Sequence, residues 1–241
     1  MPSSFSPSAI KFLRGLARNN DRTWFEARRA TWEHELKAPM LELIEQVNYA
    51  MAEFAPDHIR TPGKTMLRIH RDTRFSADKR PYKRHIAAWF GRRSAVRTTG
   101  AGFYLHISPA EVHFAMGAFM PLPDQLLALR RSMAERHEHF RKVLKQVMRP
   151  RKGQVALEPI DARALARMPK GFPLDHPAGE LLRARRWGVQ CSSPSEDALD
   201  PRFAERVIRQ FRTAAPLVLA LDEAMFGSLG EEPRRPLRAM F

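Results

Sequence analysis

Apolar positions in the first fifty residues recur at helical spacing. Ser6-Pro7 is a helix start, a capping hydroxyl followed by proline at the first helical position. Ile10, Phe12, Leu13, Leu16 and Ala17 then form one apolar face. Asn19-Asn20-Asp21 is a turn, and Asp21 can cap a second helix with Trp24, Phe25, Arg28 and Trp32 along one side. Pro39 is expected to begin a third helix, with Leu41, Ile44, Val47, Tyr49 and Met51 spaced for burial. The period then drops to two. Residues 65–70 alternate, with Leu67 and Ile69 on one face and Met66, Arg68 and His70 on the other. Residues 71–82 read as an ordered loop and 85–90 as a second strand. Residues 102–108 and 111–116 alternate on either side of Pro109-Ala110, which predicts an antiparallel hairpin.

Pro123 starts a long helix to about Met148, expected to break near His137. Residues 149–175 read as irregular. A short helix from His176-Pro177 to about Ala184 follows, then a strand over 185–191 and a loop over 192–195. Asp200-Pro201 caps a final helical region that Pro216 should kink or split. This order predicts an α+β fold: an antiparallel sheet of about four to six strands covered by N-terminal and C-terminal helices. No repeat or low-complexity linker divides the 241 residues, so one domain is expected.

Charge changes this picture in one place. The net charge is +15, yet residues 1–59 hold seven Lys/Arg against eight Asp/Glu. Residues 60–100 hold twelve Lys/Arg against two acids, a surplus of ten. A local excess of that size suits phosphate, nucleic acid or another polyanion. The other reading is the solvated surface of an Arg-rich protein. One cysteine, Cys191, excludes an intramolecular disulfide and favours a reducing compartment. Lys11 and Arg14 interrupt the first apolar run, so no signal peptide is expected, and no run reaches membrane-span length. The expected location is the cytoplasm, with no membrane partner.

The most distinctive segment is MLRIHRDTRFSADKRPYKRHIAAWF, preceded by NNDRTWF and followed by GFYLHISPAEVHFAMGAFMP and PKGFPLDHPAGELL. With these motifs the chain resembles a bacterial and fungal family of uncharacterised proteins, domain of unknown function 2461, from about Phe5 to about Phe226. The resemblance implies a compact α+β domain and no particular activity. The tail beyond Phe226 and the extra arginines of 130–186 look particular to this chain.

Within the central run, Arg68, Arg71, Arg74, Lys79, Arg80 and Lys83 are six cations in sixteen residues, and Asp72 and Asp78 can neutralise only two. Guanidinium forks suit phosphate or carboxylate, and Tyr82 and Ser76 add hydroxyl donors. The expected ligand-binding set is Arg68, Arg71, Arg74, Lys79, Tyr82 and Lys83, with an anionic small molecule as partner. In the competing scaffold reading, Arg71-Asp72 and Asp78-Lys79 are ion pairs that pin the loop, and Phe75 and Pro81 anchor it. If the sheet sets Arg68 and His70 beside Tyr104, His106 and His113, one sheet face is polar. It is then a pocket floor rimmed by the loop, or a solvated face.

Catalytic candidates are few. Asp72 or Asp78 is available as a general base, and His70 or His106 as a proton shuttle. None sits in a known catalytic spacing, and H-E-x-x-H, P-loop and G-x-S-x-G motifs are absent. Cys191 with His176 makes too thin a zinc set, and His137 and His139 do not share a helix face. No structural metal and no cofactor are expected. Nucleic-acid binding is the alternative function, through a stripe joining the loop to Arg92, Arg93, Arg97 and the basic run 141–152. Against it, no helix-turn-helix, RNP or zinc-finger signature is present. A protein-interaction module using exposed Trp24, Trp32 or Trp89 is the third.

Overall fold

The computed structural model describes residues 5–96 and 98–227. Ser6 caps α1 (Pro7–Arg18), its hydroxyl accepting from the Ala9 N–H, and Asp21 caps α2 (Arg22–Glu26) by accepting from Trp24 N–H at 2.8 Å. The next helix starts well before Pro39. It opens as α3 (Arg29–Thr31), widens into a π turn (Trp32–Lys37) and continues as α4 (Ala38–Phe54). The wide turn absorbs the proline, which has no N–H to give and whose ring needs room against the preceding turn. A short α5 (Pro62–Thr65) leads into the sheet.

The strands are β1 (Met66–Leu67), β2 (Ile86–Gly91), β3 (Ala101–Ile107), β4 (Glu111–Ala118), β5 (Glu158–Pro159) and β6 (Trp187–Pro194). They form one antiparallel sheet in the order β1-β2-β3-β4-β6-β5. The expected β3–β4 hairpin is present. The loop expected at 192–195 is instead largely strand, because Ser192, Ser193 and Pro194 pair with His113, Val112 and Glu111. Helix α6 (Pro123–Met148) is interrupted at Arg136, beside the expected break, and α7 (Gly179–Arg183) is short. Helix α8 (Phe203–Phe226) is not split by Pro216. That proline lies on the exposed side of the helix, where water can serve the carbonyl that loses its partner.

Alternation gives the sheet two unlike faces. Phe90, Phe103, Phe114, Met116 and Val189 point to the helices. Phe211 of α8 enters among them, with its ring centroid 5.4 Å from Phe90, 5.2 Å from Phe103 and 6.2 Å from Phe114. The only buried charged residues among those described, His58 and Asp222, are set into this side. His58 Nδ1 lies 3.1 Å from the Phe90 carbonyl, which can only accept, so that nitrogen carries a proton. Asp222 Oδ1 accepts from Ala101 N–H, while its Oδ2 sits 2.9 Å from His58 Nε2, off the line of a direct hydrogen bond. The pair ties the end of α8 to β2, to the start of β3 and to the turn after α4. Among the described residues no helix is long and apolar enough to cross a membrane.

Candidate functional site

The segment from Arg68 to Lys83 is a finger with an ordered root. Arg71 N–H donates to Pro81 O at 2.9 Å, Lys83 N–H to Ile69 O at 2.8 Å, and His70 bridges Tyr82. Asn20 clamps the root, its side chain donating to Tyr82 O and accepting from Tyr82 N–H, both at 3.0 Å. The buried Tyr82 ring stacks on Phe25 at 4.2 Å. The turn and second helix at the N-terminus therefore exist partly to hold this finger.

Its carboxylates engage its own arginines. Asp72 takes a two-pronged contact from Arg74, at 3.0 and 2.8 Å. Asp78 takes Arg71 at 2.6 Å and Arg80 at 2.9 and 2.7 Å. These partners are not the sequence neighbours Arg71-Asp72 and Asp78-Lys79. A carboxylate folds back more readily onto a residue two positions on, whose N–H it also accepts, than onto its immediate neighbour. Hydrogen bonds from Arg74 lower the Asp72 carboxyl to about 2, and those from Arg80 and Arg71 push Asp78 lower still. Carboxylates held so firmly ionised are weak bases at neutral pH. Lys79 donates to Thr73 O at 3.1 Å. Phe75, expected as an anchor, is 96% exposed at the tip.

The candidate cations do not converge as one group. Arg68, Arg74 and Lys79 are exposed, Arg74 with 76% of its side chain accessible. Arg71, Tyr82 and Lys83 do meet, in a recess of about 230 Å³ at the finger's root that also takes in Asp78, Arg80, Arg84 and His85. Among the described residues that line this recess, Arg71, Arg80 and Arg84 outnumber the one carboxylate, Asp78.

Beside it lies the outer face of the sheet, which no helix covers among the described residues. His85 stacks on His106 with centroids 4.8 Å apart, and His106 lies 5.1 Å from His113. His106 Nδ1 is 3.2 Å from the Tyr104 hydroxyl, and His113 Nδ1 is 2.9 Å from Ser192 Oγ. Burial, aided by Lys83 and Arg84, lowers His85 to about 4. Burial first, then the neighbouring histidines, lowers His106 to about 3. Burial also lowers His113 and raises the Tyr104 hydroxyl to about 12. The histidine row is thus neutral at pH 7. Arg68 and His70 are not part of it. Met66 pairs with Ala88 and Leu67 with Ala87, so Leu67 has the parity of the outer face, and the chain leaves the sheet at Arg68.

One row further along, Trp89, Tyr104, Ala115 and Gln190 are in register. They line a cavity of about 400 Å³ with His113 and Phe119, closed at its rim by Met120, Ile160, Asp161 and Arg186. Next comes a row of four glycines, Gly91, Gly102, Gly117 and Gly188. A Cβ at Gly91 would stand 2.3 Å from Trp89 Nε1, and one at Gly102 would stand 2.7 Å from Trp89 Cζ2. The bare backbone is what lets the indole lie flat on the sheet. A conserved hypothetical protein family, DUF2461, has a model that matches residues 8–219. The chain belongs to this family. No curated protein matched it. The match takes in the finger, the histidine row and the cavity floor of this DUF2461 protein.

Three of the other basic residues of this family member have partners within the chain. Arg92 stacks on Phe226 at 5.0 Å, Arg93 lies 3.6 Å from Asp57, and Arg141 is held by Glu138 and Glu180. Arg97 lies outside the described residues. Arg84 and His85, which line the recess, went unmarked in the sequence because they sit just past the run of cations, where the strand begins.

Proposed function

We propose that this protein binds a small anion in the recess at the finger's root. The observation that carries the reading is the grouping of three guanidinium groups there, Arg71, Arg80 and Arg84, around one carboxylate, Asp78, among the described lining residues. Asp78 orients Arg71 and Arg80 and fixes the root, so the finger's ion pairs and its ligand site are parts of one construction. The ligand class is phosphate or carboxylate, matched to guanidinium forks. A cytoplasmic setting suits the single buried cysteine.

Calorimetric titration with inorganic phosphate at low ionic strength tests this. Arg84→Ala should weaken binding about ten-fold, the worth of one charge-assisted contact. Arg74→Ala, at the exposed end of the finger, should change it less than two-fold. Equal losses in both variants, or no heat from the wild type, would remove the reading.

A further inference from the structure

The cationic recess and the 400 Å³ cavity lie on either side of His106. His85 lines the first, His113 lines the second, and His106 stacks against both imidazoles. All three are on the outer face, so a molecule can pass from one hollow to the other along a single surface of neutral rings. The cavity end is built for a flat apolar body. Trp89 lies on the glycine backbone with Phe119 5.9 Å away, and Tyr104 and Ala115 continue the floor. Its polar groups are few and placed at the edge: Gln190, Arg186 and Asp161. The Trp89 Nε1 is sealed against the Gly91 backbone, so the indole offers a ligand its face and not its N–H. Sites that grip an organic molecule usually combine such an apolar hollow with a few orienting polar groups.

We propose that the ligand is bipartite: an anionic group held at the root of the finger and a planar ring seated against Trp89 and Tyr104. This rests on the anion reading above and names the class of molecule that it would take. The uncharged histidines between the two hollows favour a short, weakly polar connector, because a second anionic group there would meet no opposing charge. Nucleoside monophosphates, whose ring and phosphate are joined through a sugar, have this layout.

The test is a set of calorimetric titrations with inorganic phosphate, phenyl phosphate, adenosine monophosphate and flavin mononucleotide. At least one ringed phosphate should bind ten-fold or more tightly than inorganic phosphate and quench Trp89 emission. Ala115→Trp, which fills the cavity floor, should erase that gain and bring the ringed compounds to the level of phosphate. Tyr104→Leu, which keeps the volume and removes the ring, should reduce the gain at least three-fold if Ala115→Trp fails to fold. Phosphate binding with no gain for any ringed compound overturns this inference and leaves the anion site standing. No binding of any of the four overturns both.

Discussion

The two faces of the sheet are made by the same strands, and they differ in what one residue in two is asked to do. On the inner face Phe90, Phe103, Phe114 and Met116 close on Phe211, and every large side chain is out of water. On the outer face the alternate positions are His106, His113, Tyr104, Trp89 and glycine. Tyr104, His106 and His113 are half-buried with no helix above them among the described residues, and three imidazoles are kept neutral at a cost. A face serving only as a solvated surface would have no reason to desolvate histidines. The inner face carries the packing, and the outer face holds the titratable rings and the aromatic cavity.

Substitutions can break that comparison. The largest effect belongs to the inner face. Phe211→Ala should cost about 3–5 kcal/mol in chemical denaturation, while His113→Ala on the outer face costs about 1 or less. Equal costs would mean that the outer face is packed as a second core. Asp222→Ala should come next, at about 3 kcal/mol, because it strands the buried His58 and the Ala101 N–H.

The outer face should declare itself through pH. Folded His85 and His106 titrate near 4 and near 3, whereas unfolded histidine takes its proton near 6.5. Between those values the unfolded chain binds more protons, so stability is full above about pH 6.5 and falls as the pH drops toward 4. The loss should be plain in chemical denaturation at pH 4.5 against pH 7, and the double variant His85→Asn, His106→Asn should flatten it. A wild-type stability that is level from pH 7 to 4.5 would show these imidazoles to be freely hydrated. Smallest is Asn20→Ala, which removes the clamp on Tyr82. It should cost about 1 kcal/mol globally and yet speed proteolytic cleavage within residues 71–83 several-fold.

Much of the fold was legible because local chemistry decided it. Ser6-Pro7 and Asp21 start helices by capping, and the β3–β4 hairpin follows from strict alternation around Pro109-Ala110. Pro39 and Pro216 misled because a proline's local rule can be overridden, in one case by a π turn and in the other by an exposed helix side. The alternation at 65–70 was real, but the chain leaves the sheet edge after Leu67, so Arg68 and His70 never join the histidine row. The site was legible only in part. Charge density marked the finger, yet which cations face inward depends on the Asp78 pairings and on the turn at the root, and spacing alone does not encode these. The aromatic cavity needs strand register, since Trp89, Tyr104 and Gln190 come from three separate strands.

The most direct measurement is a crystal structure of the chain with low-millimolar phosphate, refined beside one grown without it. The anion should be found at the finger's root, within hydrogen-bond distance of at least two of Arg71, Arg80, Lys83 and Arg84. A root unchanged and empty in both crystals, with Arg71 and Arg80 still closed on Asp78 alone, would contradict the account.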